Sequence, residues 1–516
     1  MGAIPPHATR STRSPVPRPD PAVSRALTRL TDLSLDRRTL LRGAGVAAAL
    51  GVVAACSPRG SRPGPTRTAS PSSLRFPDGF RWGAATSAFQ VEGSTTADGR
   101  GPSIWDTFAA EPGRIDDGST GDPAADHYRR WEEDLDLVAS LGLGSYRFSV
   151  AWPRVVPTGS GAVNQAGLDF YRRLVDGLRR RGVRPAVTLY HWDLPQPLQD
   201  AGGWAARDTA ERFGEYAAVV FDALAGEDVT WLTVNEPKTT AFVGYAGTEH
   251  APGLGDVDAG LAAVHHQLLA HGRAVQALRA AGPVAATGGI GIALNLQPVY
   301  PGIGAEETAR RADGAENRLY LDPVLLGRYP DDAVGDLPGQ VHGDADRFAA
   351  LVREGDLEAI SAPADVLAVQ YYGAAMVDRY GAWQSAFPTS AAGWQQVHPE
   401  GLYDLLTRLR DDYPDLPPLL ITENGVPDDP ADTDPVHDAA RVAFLRAHLE
   451  QAGRAVADGV DLRGYYAWSL LDNFEWARGM SQRWGLVRVE PGTLDRTPKD
   501  SARWYQRVVA ANGLVD

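Results

Sequence analysis

The chain has 516 residues, of which 43% are hydrophobic and 22% are charged, a composition typical of a soluble globular protein. Its formal net charge is −15, but residues 1–56 hold eight arginines and three aspartates, a net +5, so the remainder carries −20. A body this acidic repels phosphate backbones, which argues against nucleic acid as a partner. The 13 tryptophans and 17 tyrosines suit a site that stacks on sugar rings, although most should lie in the core.

The first part of the chain has the pattern of an export signal. Residues 36–56 read DRRTLLRGAGVAAALGVVAAC, in which Arg37-Arg38 precedes an apolar run that ends at Cys56, the single cysteine of the chain. The run is too short to span a bilayer. The arginine pair resembles a twin-arginine signal and VAAC resembles a lipobox, so we expect export, with membrane contact only through this signal or a lipid on Cys56. The alternative is a helical segment with an incidental buried cysteine.

Residues 57–73 are dense in proline, glycine and serine and lack apolar periodicity, so they predict a flexible tether. Residues 74–516 contain no comparable linker and are predicted to form one domain. Eight apolar, β-rich runs alternate there with segments of helical period such as 127–142 and 440–459. In chain order the runs are FRWGAATSAF, GSYRFSVAW, RPAVTLYHW, VTWLTVNEP, GIGIALNLQP, DVLAVQYYG, PLLITENG and LRGYYAWSLLDN. Eight such units predict an α/β fold, a single (β/α)8 TIM barrel. A doubly wound open sheet is the rival, but no Gly-x-Gly-x-x-Gly follows the first run.

Polar and aromatic side chains recur within these runs, mostly at their ends. In a barrel the carboxyl ends of the strands converge on one mouth, where barrel enzymes keep their active sites. Packing alone does not explain so many converging groups. The residues are Arg147, His191, Trp192, Asn235, Glu236, Asn295, Tyr371, Tyr372, Glu423, Asn424 and Trp468.

Two carboxylates stand out among these groups, Glu236 in TVNEP and Glu423 in ITENG. Strands four and seven face each other across a barrel mouth. A pair of carboxylates flanking a bond is the minimum equipment for glycoside hydrolysis, with one acid protonated and the other ionised. Different surroundings separate two such pKa values. We expect Arg147 to hold one carboxylate charged and a tyrosine hydroxyl to donate to it.

The chain resembles glycoside hydrolase family one, of the β-glucosidase type, from about Phe76 to Trp504. The resemblance rests on long, ordered motifs, which include FRWGAATSAFQVEG, TLYHWDLPQPLQDAGGW, TVNEP, NLQPVYP, ITENG, WSLLDNFEWARGMSQRWGL and RTPKDSARWY. It implies a retaining enzyme on a β/α barrel that uses no metal and no other cofactor. Its partner would be a small β-glycoside or oligosaccharide.

The resemblance also implies roles for individual residues. Glu236 would be the general acid and base, and Glu423 the nucleophile that forms a glycosyl-enzyme. Asn235 would hydrogen-bond the sugar 2-hydroxyl, while Tyr372 and Arg147 would orient Glu423. Further candidate substrate-binding residues are Gln90, His191, Trp192, Asn295, Trp394, Trp468, Glu475 and Trp476.

Glu475 bears on the class of sugar, because a carboxylate there would repel a phosphate dianion, so unphosphorylated glycosides are expected. Four positions depart from the usual family pattern. They are Lys238 where an aromatic residue is common, Thr239, Gln370 and Trp484. Lys238 is predicted to line the leaving-group side of the site and to favour polar or acidic leaving groups.

The resulting prediction is an exported, lipid-anchored retaining β-glycosidase. It is expected to act first on β-D-glucosides and then on β-D-galactosides or fucosides. The alternatives are a transglycosylase that uses the same carboxylates and a non-catalytic, surface-anchored sugar-binding protein. The sequence does not reveal the oligomeric state.

Overall fold

A computed structural model describes residues 74–226, 228–282, 288–335, 344–432 and 434–515. The predicted export signal and tether, with Cys56, lie outside the described residues. Eight parallel strands close into a barrel. Each strand pairs with the strands before and after it in the chain, and β1 pairs with β8 to close the barrel. They are β1 Arg81–Ala85, β2 Ser145–Ser149, β3 Arg184–Tyr190, β4 Thr230–Asn235, β5 Ile290–Asn295, β6 Leu367–Gln370, β7 Leu419–Asn424 and β8 Leu462–Trp468.

The strands are four to seven residues long and nearly all of their residues are buried, with β-branched and aromatic residues most frequent in β4. All residues of β2, β4, β6 and β7 are buried, as expected for strands with side chains inside the barrel on one face and helices on the other. Each of the eight strands falls within one of the eight predicted runs. The predicted barrel is therefore confirmed.

Most of the helices that follow the strands bury one face, whereas the central part of the helix Val257–Ala280 is buried on all sides. In α2 the residues Leu168, Tyr171, Leu174, Val175 and Leu178 recur at helical spacing and are buried. The eight helices of this layer are α1 His127–Ser140, α2 Gln165–Arg180, α3 Asp208–Leu224, α4 Val257–Ala280, α5 Asp356–Ile360, α6 Pro399–Asp412, α7 Ala439–Ala457 and α8 Asp500–Ala511.

Shorter elements decorate the loops at the strand ends. The small strands are Val299–Pro301, Ala375–Val377 and Trp383–Gln384 in one sheet, and Val487–Val489 and Arg496–Pro498 in another. The short helices are Ala88–Val91, Ile104–Ala110, Trp152–Val155, Gln196–Asp200, Pro237–Thr239, Glu306–Asp313, Leu319–Leu326, Asp331–Gly335 and Asp344–Leu351. Single turns of tighter or wider helix lie at Ala97–Gly99, Gly203–Ala205, Thr240–Tyr245, Gly314–Arg318 and Trp476–Arg478. Within the described ranges, no helix is both long and apolar enough to cross a membrane.

Candidate active site

A cavity of about 580 Å³ opens where the carboxyl ends of the strands meet. Such a volume suits a small ligand built from a few sugar-sized rings. Ten of the predicted site residues line it, and they come from the ends of β3 to β8 and from the loops after β6 and β8. They are His191, Trp192, Glu236, Asn295, Tyr372, Trp394, Glu423, Trp468, Glu475 and Trp476.

Glu423, at the end of β7, is held by three donors. Arg147 on β2 forms an ion pair with Oε1, and Gln370 Nε2 donates to the same oxygen over 2.6 Å. The Tyr372 hydroxyl donates to Oε2 over 2.7 Å. Burial raises the pKa of Glu423, whereas the Arg147 charge and the Tyr372 hydrogen bond act against that rise. Burial also raises the pKa of Tyr372 well above its usual value, so its hydroxyl keeps the proton that it donates.

Glu236 follows β4 and has a different environment. Proline at 237 lacks an N–H and ends the ladder, and Glu236 adopts φ 47°, a left-handed conformation that is uncommon for a non-glycine residue. Among the described residues its carboxyl accepts one side-chain hydrogen bond, from Thr239 Oγ1 to Oε2 over 2.7 Å. Burial, followed by the charge of Glu423, raises the pKa of Glu236 to about 7. Glu236 is therefore suited to carry a proton near neutral pH.

Asn235 connects the two carboxylate environments from behind the cavity. Its Oδ1 accepts from Arg147 Nη2 and from Gln370 Nε2, each over 2.6 Å. Because both bonds occupy the amide oxygen, the amide nitrogen is left as a donor, and it lies 3.2 Å from His191 Nε2. Burial lowers the pKa of His191 well below its usual value, so the imidazole stays neutral and able to both donate and accept.

A third carboxylate, Glu475, lies on the far wall beside Gln90. Gln90 Nε2 is 3.4 Å from Glu475 Oε2 and donates to the Phe474 carbonyl over 3.0 Å. Burial, followed by the charges of Glu423 and Glu236, raises the pKa of Glu475 to about 8. Three carboxyls thus share one cavity, and a neutral, protonated Glu475 can donate to a sugar hydroxyl as well as accept from one.

Aromatic rings form the rest of the wall. The His191 ring stacks on the rings of Trp468 and Trp476, with centroid distances of 5.9 Å and 6.0 Å. The ring centroids of Trp192 and Trp476 are 4.5 Å apart. At the rim, Trp394 stacks at 6.2 Å on a further tryptophan and is 57% exposed. The wall combines apolar faces with imidazole, amide and carboxyl groups, which fits a polyhydroxylated ring with apolar C–H faces.

Four predicted site residues are not among the described residues that line the cavity. Arg147 and Asn235 lie directly behind the carboxylates, and Gln90 supports Glu475. Lys238 points elsewhere: its Nζ forms an ion pair with Glu316 Oε2 at 2.8 Å. Both side chains are largely buried, with exposed fractions of 15% and 21%. The Lys238 charge, which was predicted to favour polar or acidic leaving groups, is therefore paired with a carboxylate.

Several lining residues lie outside the predicted set. Gln482 and Trp484 fall in the motif WSLLDNFEWARGMSQRWGL, and Thr239 lies two residues after TVNEP, so all three could have been selected by their place in or beside a motif. His250 packs against Trp192 at 5.4 Å from a polar loop, and a lone loop histidine gives no signal in the sequence. The others are Val243, Glu249, Ala392, Gly393, Ala477 and Arg478.

Comparisons with known proteins agree with this geometry. The family model described as glycosyl hydrolase family 1 matches residues 72–514. The chain is 48% identical over 456 residues to thermostable beta-glucosidase B of Thermobispora bispora, covering 86% of this chain and 92% of the relative. It is 44% identical to a bifunctional beta-D-glucosidase/beta-D-fucosidase of Bifidobacterium breve, covering 84% and 98%.

Among solved structures, the beta-glucosidase from Thermotoga maritima in complex with noeuromycin superposes with a TM-score of 0.78 at 42% identity. The alignment covers 86% of this chain and all of that one. A matched family model over most of the chain, similar relatives along nearly their whole length and a shared barrel lead to one conclusion. The chain belongs to glycosyl hydrolase family 1.

Proposed function

We propose that the chain hydrolyses terminal β-D-glucosides with retention of configuration, through a covalent glycosyl-enzyme. The proposal rests on the different hydrogen-bonding environments of two carboxyls in one cavity. Glu423 receives three donors, one of them a guanidinium, while Glu236 receives one hydroxyl and has a pKa raised to about 7. An ionised nucleophile beside a protonated acid is what the first step of a retaining glycosidase requires.

In the first step, Glu423 attacks the anomeric carbon as Glu236 gives its proton to the leaving oxygen. The electron pair of the broken glycosidic bond goes to that oxygen, and the sugar becomes an ester of Glu423. The donors on Glu423 fix its orientation before the attack, so little reorganisation is needed. Asn235, held by Arg147 and Gln370, offers its amide nitrogen to the sugar.

In the second step, water replaces the enzyme at the anomeric carbon. Esterification removes the charge of Glu423, which is one of the two causes that raise the pKa of Glu236. The pKa of Glu236 therefore falls in the glycosyl-enzyme, and the carboxylate becomes a base that takes a proton from the attacking water. One residue thus serves as acid and then as base because its partner changes charge.

The sugar that the site accepts follows from the far wall. Glu475 and Gln90 present a carboxyl and an amide to hydroxyl groups, and a cavity that holds three carboxyls, with Glu423 ionised, disfavours the dianion of a phosphorylated sugar. The relative named a beta-glucosidase supports β-D-glucosides as the first substrates, and the bifunctional relative supports β-D-fucosides as secondary ones. The proposal also includes β-D-galactosides as secondary substrates. A panel of nitrophenyl glycosides, with cellobiose and laminaribiose, ranks these preferences.

The mechanism is tested by Glu423→Gly with added azide. Without the nucleophile, hydrolysis of an activated aryl β-glucoside should fall at least about a thousandfold. Azide should restore turnover and give an α-glycosyl azide, because a single attack inverts the anomeric carbon. Full activity in the variant, or a β-azide, would contradict the assignment of Glu423.

Export and a lipid anchor are also part of the proposal, supported by the sequence of residues 36–56 alone. In cells that express the full chain, Cys56→Ser should move activity from the membrane fraction to the soluble exported fraction. When Arg37 and Arg38 are both replaced by lysine, export should fail and the active enzyme should stay inside the cell. An unchanged distribution in both variants would contradict the proposal.

A further inference from the structure

The Glu236 carboxyl has one side-chain donor among the described residues, and that donor lines the same cavity. Thr239 Oγ1 lies 2.7 Å from Oε2, while Oε1 has no side-chain partner within the described part of the chain. The two oxygens of the acid are therefore distinguished before any substrate binds. Thr239 is also one of the positions at which this chain departs from the family pattern.

The backbone holds Thr239 at this distance. It is the last residue of the turn Pro237–Thr239, which begins directly after Glu236. The Thr240 N–H donates to the Glu236 carbonyl over 3.2 Å, and Gln267 on α4 donates to the Pro237 carbonyl over 3.3 Å. The hydroxyl thus sits on a turn that is tied to both the strand end and a neighbouring helix.

The geometry points to a positioning role, which rests on the proposed function of Glu236 as acid. We propose that the Thr239 hydroxyl, by donating to Oε2, directs the transferable proton of Glu236 to Oε1. That proton then passes from Oε1 to the glycosidic oxygen, which takes the electron pair of the broken C–O bond. Glu236 is left as a carboxylate whose Oε2 still accepts from Thr239, so the same bond stabilises the product of the transfer.

The hydroxyl acts within a defined charge environment. Burial raises the pKa of Glu236, as does the charge of Glu423, and the Thr239 hydrogen bond lowers it. The variants below change none of the other titratable and charged groups that face this carboxyl, so a shift in pH dependence reports the hydroxyl. Those groups are Glu423 from β7, Glu475 after β8, Tyr372 after β6, Arg147 on β2, and Lys238 with its partner Glu316.

The test compares Thr239→Val, which replaces the hydroxyl by a methyl of similar size, with Thr239→Ser, which keeps it. In the valine variant the alkaline limb of kcat/KM should move upward by about half a pH unit or more, because the ionised acid loses its donor. Its kcat on cellobiose should fall roughly tenfold, with a loss under about threefold on dinitrophenyl glucoside, whose leaving group needs no proton. The serine variant should match the parent in both measurements.

Each other outcome overturns the assignment. An unmoved limb with equal losses on both substrates would make Thr239 a packing residue. A limb that moves to lower pH would mean that the hydroxyl accepts from the protonated acid instead. Thr239→Ala replaces the valine variant if that one does not fold. Failure of the parent enzyme to hydrolyse either glucoside would instead count against the proposed function.

Discussion

The ends of β4 and β7 carry the same side chain in opposite settings. Glu423 lies among three donors that come from β2, β6 and the segment after β6. Glu236 has a left-handed backbone conformation and precedes a proline, and its carboxyl accepts one hydrogen bond, from the hydroxyl of Thr239 in the turn that follows. Two glutamates that look alike in sequence thus differ in the number and charge of their hydrogen-bond donors.

This difference explains how one cavity can hold a protonated and an ionised carboxyl at the same pH. Burial raises the pKa of both carboxyls, so burial alone does not separate them. The guanidinium of Arg147 favours the ionised form of its partner, and that charge in turn favours the neutral form of Glu236. The separation arises from the pair and its donors together, and removing either side should collapse it.

The largest effect is expected when the β4 side is removed. Glu236→Ala should lower kcat/KM on cellobiose by about 10²–10⁴-fold, because its leaving group needs a proton. Dinitrophenyl glucoside should form the glycosyl-enzyme at nearly the parental rate, seen as a burst in stopped-flow absorbance. Equal losses on the two substrates would contradict the role of acid.

The anomer of the glycosyl azide that forms with added azide distinguishes the role of Glu236 at the end of β4 from that of Glu423 at the end of β7. In Glu236→Ala the nucleophile remains, so azide attacks the glycosyl-enzyme and a second inversion gives a β-glycosyl azide. Glu423→Gly should give the α-product, as described above. NMR of the two azides distinguishes the anomers, and identical anomers would remove the distinction between the two ends.

A smaller effect is expected from weakening the β7 side. Tyr372→Phe deletes one donor to Glu423 and keeps the ring that packs against Trp394 at 5.7 Å. A hydrogen bond to a charged group contributes about 1.5–3 kcal/mol, so kcat should fall roughly 10- to 100-fold. The acidic limb of kcat/KM should move to higher pH, since an ionised Glu423 is then harder to form. A loss confined to KM would place Tyr372 in sugar binding instead.

The smallest effect comes from the charge beside Glu236. Lys238 lowers the pKa of Glu236, and Glu316 offsets part of that positive charge. Lys238→Met should therefore raise the alkaline limb of kcat/KM, and Glu316→Gln should lower it, each by a few tenths of a pH unit. Shifts in opposite directions would show that the two charges act on the pKa of Glu236. Shifts in the same direction would mean that the ion pair only stabilises the fold of the loop.

Much of the site was accessible from the sequence for a physical reason. Parallel strands bring their carboxyl ends to one edge, so a residue such as Glu236 or Glu423 is placed once its strand is recognised. Apolar runs and helical periodicity are local properties, which is why the bounds of β3 and α1 fall within the predicted segments. The aromatic wall was accessible through the motifs in which its tryptophans stand.

Contacts between side chains from distant segments were not accessible. Lys238 was predicted to line the leaving-group side, and nothing in the sequence indicated that it pairs with Glu316, 78 residues away along the chain. Its new partner lies in a turn between β5 and β6, and no local pattern specifies that approach. Gln370 was noted only as a departure from the family pattern, although it joins Glu423 to Asn235.

The barrel, its strand ends and the two candidate carboxylates could be predicted from the sequence, because they depend on patterns within single segments. Which carboxyl receives three donors, which receives one hydroxyl, and that Lys238 pairs with Glu316 became visible only in the folded chain. Those choices depend on register, backbone conformation and the approach of loops distant along the chain. Electrostatic energies depend on distances of a few ångströms, and only the folded chain sets them.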